Sequence, residues 1–132
     1  MSRLIAFGCS HTFGNGLPDC YNRKKRIPGK YPSKLAWPQI LADKLGLECI
    51  NLGEGGSSNK KILYRILSFN FKQDDTVLVL WSYPIRTCVI EDGIRDIMPG
   101  GDEDFDKIYY RHFFTERDNS FTDSVYKRLA YF

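Results

Sequence analysis

The sequence predicts an α/β domain of three layers, a parallel sheet with helices on both faces. Three observations carry this expectation. Apolar runs of strand length alternate with segments of helical periodicity, in the order strand, helix, strand, helix, strand. The third run is apolar without interruption, the pattern of a strand covered on both faces. Glycines follow the elements where a chain must break or turn. With 132 residues, of which 42% are hydrophobic, residues 1–132 read as a single domain with a core of its own.

Leu4 to Phe7 forms the first strand and stops at Gly8. Trp37, Ile40, Leu41 and Leu45 recur at helical spacing, and Gly46 ends that helix. Leu47 to Leu52 is the second strand, closed by Gly53, Gly55 and Gly56. Ser58 caps a second helix whose apolar face is Ile62, Leu63, Ile66 and Leu67. Asp74-Asp75 turns the chain into the third strand, Thr76 to Trp81. Thr87 to Ile97 then reads as a small hairpin insertion turning at Glu91-Asp92-Gly93. Residues 99–106 read as loop, and Phe105 to Thr115 as an aromatic-rich helix. Asn119 or Ser120 caps a last helix with Phe121, Val125, Leu129 and Phe132 on one stripe.

Charged residues make up 27% of the chain, 19 basic against 16 acidic, for a net charge of +3. Arg23, Lys24, Lys25, Arg26, Lys30 and Lys34 fall in a stretch without an acid. Without those six, 13 basic residues face the same 16 acidic ones, so the positive charge belongs to residues 17–36. Pro18, Pro28, Gly29 and Pro32 mark this segment as a basic surface loop. A solvated excursion is favoured there over a nucleic-acid surface. No apolar run approaches the ~20 residues of a spanning helix, so a membrane partner is not expected. The apolar stretch after Met1 is too short for a signal peptide. Cys9, Cys20, Cys49 and Cys88 lack metal-ligand spacing and read as reduced thiols in a cytoplasmic protein. No metal and no cofactor are implied.

In open parallel sheets the ligand site lies beyond the carboxyl ends of the strands. Three loops should meet there, Gly8 to Gly16, Asn51 to Asn59, and Ser82 to Thr87. A serine at a strand exit can present its hydroxyl as a nucleophile, and glycine N–H groups can hold an oxyanion. Neither glycine loop matches a phosphate-binding or dinucleotide fingerprint. Cys9, alternating with Ser10, is expected to point into the core, and Lys60 and Lys61 to be a solvated pair at a helix start.

The run Phe7-Gly8-Cys9-Ser10-His11-Thr12-Phe13-Gly14, followed by Ile50-Asn51-Leu52-Gly53-Glu54-Gly55-Gly56-Ser57-Ser58-Asn59, resembles the SGNH/GDSL hydrolase superfamily. It is most similar to a branch whose first block reads GCS, and the likeness spans roughly residues 3–87. The resemblance implies a flavodoxin-like parallel sheet and a serine esterase or acyl hydrolase. Ser10 matches the nucleophile, and the N–H groups of Ser10 and Gly56 match oxyanion donors. The third block, a strand followed by GxND, is replaced by Trp81-Ser82-Tyr83-Pro84. Tyr83 stands where the asparagine would be, so Asn59 and Ser82 are the candidate substitutes. No DxxH block follows. His112 is the candidate base, with His11 a second possibility on the loop of Ser10 itself. His11, Asn15, Ser57, Tyr83 and Arg86 are expected to contact substrate, a small-molecule ester or acylated carbohydrate. The missing block makes the chain read as the C-terminally short first two thirds of such an enzyme, inactive or completed by a second copy or a partner chain. The alternative is a non-catalytic module for ligand binding or assembly.

Overall fold

A computed structural model describes residues 1–90, 92–97 and 107 of the chain. Its centre is β1 (Arg3–Gly8), with β4 (Glu48–Gly53) on one side and β5 (Thr76–Val79) on the other, all parallel. Leu4, Ile5, Ala6 and Phe7 are all buried. Four consecutive buried residues on one strand require cover on both faces. Leu4 and Ala6 pack with Ala42 of α2 (Trp37–Leu45), while Ile5 and Phe7 pack with Ile62 of α3 (Asn59–Leu67). The two residue sets alternate along β1, so the helices lie on opposite faces and the domain has three layers. The chain steps one way in the sheet from β1 to β4 and the other way from β4 to β5. Crossovers of one hand then place their helices on opposite faces.

The helix ends follow their local chemistry. Gly46 takes a left-handed conformation at φ 65° and returns its N–H to the last turn of α2. Ser58 is the N-cap of α3, its hydroxyl accepting the Lys61 N–H at 3.2 Å.

Two expectations need correction. The third strand is shorter than Thr76 to Trp81, and it is not covered on both faces among the described residues. Val77, Leu80 and Trp81 are 39%, 42% and 43% exposed. The reason is position: among the described residues β5 lies at the edge of the three-stranded sheet, while β1 holds the doubly covered centre. The basic segment is not only loop. It folds into a small antiparallel hairpin, β2 (Tyr21–Asn22) and β3 (Ile27–Pro28). Its base is anchored by buried Cys20, by Asp19, which accepts from the Ser33 hydroxyl and the Lys34 N–H, and by Ser33, whose N–H reaches Phe13 O at 2.8 Å.

After β5, β6 (Thr87–Ile90) and β7 (Ile94–Ile97) pair antiparallel, as the hairpin reading anticipates. The loop at 99–106, the helix at 105–115 with His112, and the last helix lie outside the described residues, Lys107 apart.

One ion pair ties the start of β1 to the turn before β5. Arg3 grips Asp75 with Nε at 2.7 Å and a terminal nitrogen at 2.5 Å. Hydrogen bonds from Arg3, aided by the Lys72 N–H, hold the Asp75 carboxyl below the usual carboxylate range. Its contribution to stability is therefore present above the unfolded pKa and lost as the pH falls through the lower folded one. Thermal melts should show a loss of stability on acidification below that of ordinary carboxylates. The Asp75→Asn variant should be less stable at neutral pH and should have a flatter acid limb; an unchanged limb would remove the pair from this role.

Candidate functional site

The site is built where α1 (Ser10–Phe13) sits on the carboxyl ends of β1 and β4. This single helical turn was not anticipated from the sequence, which reads Gly8 to Gly16 as loop. Its approach is so close that only glycine fits beneath it. A Cβ on Gly8 would lie 2.0 Å from Thr12 Oγ1, and one on Gly53 would lie 2.5 Å from Phe13 N. Gly14 ends the turn at φ 88° and packs under Ser33 and Ala36. Ser10 is the first residue of the turn, half-buried, directly beyond the end of β1.

The second loop is fastened to the first. The Asn51 amide donates to Thr12 O at 2.6 Å and its carbonyl accepts the Gly53 N–H at 2.9 Å. The Glu54 N–H reaches Gly8 O at 3.1 Å. Asn15 lies against Gly55, with Nδ2 2.9 Å from where a Cβ would be. Gly56 has φ 77°, and among the described residues its N–H donates no hydrogen bond. Ser57 is buried with its hydroxyl unpartnered among the described residues. Asn51 was missed as a positioning residue. A polar side chain inside an apolar strand needs partners, and that was the signal available.

The third loop is latched to the second. Asn59 Nδ2 donates to Ser82 O at 3.0 Å and Asn59 Oδ1 accepts the Ser82 N–H at 2.6 Å. This pair of hydrogen bonds uses one amide hydrogen of Asn59 and, among the described residues, leaves the other available. The Ser82 N–H is taken, so Ser82 can serve an oxyanion only through its hydroxyl. Arg86 donates to that hydroxyl at 3.0 Å, and its guanidinium stacks on the exposed Tyr83 ring at 5.2 Å. Arg86 is thus held by its neighbours rather than projecting freely toward a ligand.

A cavity of about 330 Å³ opens here, walled by His11, Leu80, Trp81, Tyr83 and Pro84, with Cys9 and Ser82 also lining it. Cys9 is buried, as expected of a core residue, but its thiol faces this cavity wall instead of being sealed away from Ser10. Burial pushes the thiol up. The His11 N–H, the hydroxyls of Ser82 and Ser10 and the charge of Arg86 outweigh burial and hold it below the ordinary thiol range. The thiol does not make a cap hydrogen bond to the turn. The strand exit bends into α1 at Cys9, and this breaks the alternation that would have separated Cys9 from Ser10.

Lys61 overturns the reading of a solvated pair. It is 5% exposed, with Nζ 2.9 Å from Glu54 and 2.7 Å from Asp96. Burial lowers its pKa, but hydrogen bonds to Asp96 and Glu54 more than offset this and raise it. Lys60 donates to Cys88 O at 3.1 Å. The two lysines therefore hold the β6–β7 hairpin and the second loop to α3.

Ser10, His11, Asn15, Gly56, Ser57, Asn59, Ser82, Tyr83 and Arg86 all lie on these three loops or in the first turns beyond them; His112 lies outside the described residues. Among the described residues, no group of three or more His, Cys, Asp or Glu side chains is placed to hold a metal ion, and no helix is long and apolar enough to cross a membrane.

Asn59→Ala removes both bonds of the latch while leaving the N-cap at Ser58. It should lower any activity of the site by about 10- to 100-fold, with a loss of stability of about 1–2 kcal/mol. Steady-state kinetics and thermal melts check this, and unchanged kinetics would show that Ser82 needs no latch.

Comparisons with family models, curated proteins and solved structures give no match to this chain.

Proposed function

We propose that the chain is an SGNH/GDSL-like acyl hydrolase domain with a flavodoxin-like sheet, and that Ser10 is its nucleophile. The observation that carries this reading is the convergence of three loops at the carboxyl edge of a parallel sheet ordered β4-β1-β5. Ser10 begins the helical turn there, beside a cavity, and the Gly56 N–H is free of hydrogen bonds among the described residues.

In this reading Ser10 Oγ attacks an ester carbonyl. The new C–O bond forms as the hydroxyl proton passes to the base, and the departing alcohol takes that proton as the acyl-enzyme forms. Water then reverses the sequence and releases the acid. The Ser10 and Gly56 N–H groups and the second amide hydrogen of Asn59 are the donors for the oxyanion, joined by the Ser82 hydroxyl when its hydrogen turns from the Cys9 thiol. Arg86, donating to Ser82 Oγ, strengthens that hydroxyl as a donor in place of the absent block-three asparagine. His112 is the proposed base. His11, on the cavity wall, contacts substrate together with Asn15, Ser57 and Tyr83. The apolar, aromatic wall made by Leu80, Trp81 and Tyr83 suits the ester of a small acyl group or an acylated sugar ring.

The test is covalent. A serine-directed fluorophosphonate should label the protein once, and peptide mass spectrometry should place the adduct on Ser10. No adduct, or one elsewhere, would overturn the hydrolase reading and leave a binding module.

A further inference from the structure

We infer that the β2–β3 hairpin is a docking surface for single-stranded nucleic acid. Arg23, Lys24, Lys25 and Arg26 form the whole connection between Tyr21–Asn22 and Ile27–Pro28. All eight of these residues are exposed. The turn has a defined shape. Asn22 Oδ1 accepts the N–H groups of both Lys24 and Lys25 at 3.1 Å, an arrangement that lets asparagine start a turn. Arg26 closes it at φ 53°, a left-handed conformation that a side chain of this size seldom adopts.

Four cations held on one turn repel each other, and a protein normally relieves this with nearby carboxylates. Among the described residues none of these four side chains pairs with an acid. The acid in reach of the hairpin base, Asp19, is already engaged by the Ser33 hydroxyl and the Lys34 N–H, which hold its carboxyl below the usual range. Outside these four cations the chain has 15 basic residues against 16 acidic. The turn therefore carries the whole positive excess of a chain whose other charges nearly balance, and it is the point a polyanion meets.

The aromatic neighbours decide which polyanion. Beside the turn lies a groove of about 600 Å³ lined by Tyr21, Asn22, Arg23 and Lys24 together with Asp19 and Gly29. Tyr21 is 41% exposed and Tyr31, with Lys30 Nζ 5.3 Å from its ring centre, is 70% exposed. Cations that track phosphates beside aromatic faces that stack bases are the two components of single-strand binding. In a duplex the base faces are already stacked, and an acidic peptide does not carry a ring with each of its charges, as a single strand does. The sequence alone favoured solvation because it could show neither the fixed turn nor that no described carboxylate pairs with these four side chains.

The surface is independent of the Ser10 chemistry, and its test separates the two. Fluorescence anisotropy is measured with labelled oligo-dT and oligo-U of about twelve nucleotides. Both should bind at 50 mM salt. Four phosphate contacts on a single strand predict an affinity loss of about 50-fold between 50 and 200 mM salt. Replacing Arg23, Lys24, Lys25 and Arg26 by glutamine, with Asn22 left in place, should abolish binding without changing the circular dichroism spectrum. Tyr21→Ala should weaken binding about tenfold at constant salt, and Ser10→Ala should leave it unchanged. No binding at 50 mM salt, or binding that survives the glutamine variant, overturns the proposal. So does equal competition by polyglutamate or anionic vesicles together with indifference to Tyr21→Ala, which would reassign the turn to general polyanion attraction.

Discussion

Ser10→Ala is expected, on the proposed acyl-hydrolase function, to lower hydrolysis of a short-chain aryl ester by about 10³-fold or more. The size of the effect follows from the chemistry. Without Oγ no acyl-enzyme forms, and only the oxyanion donors and binding remain to assist direct attack by water. Ser10 is half-buried at the start of a turn whose backbone bonds do not use its side chain, so the variant should fold as the parent does. Cys9 makes the comparison sharp, because its thiol lies beside both the Ser10 and Ser82 hydroxyls and is held below the ordinary thiol range, where a thiolate nucleophile would need it. Cys9→Ala should leave the rate within about tenfold of the parent, an effect of packing at the cavity wall. If instead Cys9→Ala abolishes turnover and Ser10→Ala does not, the nucleophile is the thiol. If neither does, the site is not the seat of hydrolysis.

The largest effect on stability is expected at Gly53. A Cβ there would stand 2.5 Å from Phe13 N and 2.8 Å from the Thr12 carbonyl carbon. Both are backbone atoms of the turn that carries Ser10, so no side chain can rotate out of the way. Gly53→Ala should cost about 3 kcal/mol, at the upper end of overpacking effects, and lower the melting temperature by roughly 12 °C or more. Gly46→Ala is the control. It has open space around the new methyl, so only its left-handed φ of 65° is penalised, at about 1 kcal/mol. Equal losses at the two positions would mean that α1 is not seated on the sheet as described.

Parts of the fold were readable because they depend on local pattern. The strand at Leu4 to Phe7, the helix ended by Gly46, the helix capped by Ser58 and the Thr87 to Ile97 hairpin all rest on periodicity, caps and turn residues. Each is an interaction among residues close in sequence. The position of β5 at the edge of the sheet among the described residues was not readable, because a continuous apolar run looks the same at the centre of a sheet and at its margin. The turn at Ser10 was hidden for a different reason. Four residues are too few for a periodic signal, and what stabilises them is distant: the Asn51 amide on Thr12 O and the absence of side chains at Gly8 and Gly53.

The candidate site divides along the same line. Which loops could meet followed from the order of elements, since parallel strands place their exits on one edge. How they meet was a matter of long-range pairing. Asn59 was expected as a possible oxyanion donor, and it spends one hydrogen and its carbonyl latching Ser82. Lys61 was expected in solvent, and it is buried between Glu54 and Asp96, the latter 35 residues away. Cys9 was expected to face away from Ser10, and the bend into α1 brings the two side chains together.

By itself, then, the sequence determined the alternation of strands and helices, the parallel character of the sheet and the identity of the three loops, because periodicity and chain direction are local properties. Only the tertiary structure decided what each polar side chain in those loops is bonded to and, among the described residues, which strand lies at the edge and that four cations share one turn without an acid partner. These depend on which residues distant in sequence are brought within a few ångströms, and hydrogen bonds and ion pairs act only at that range.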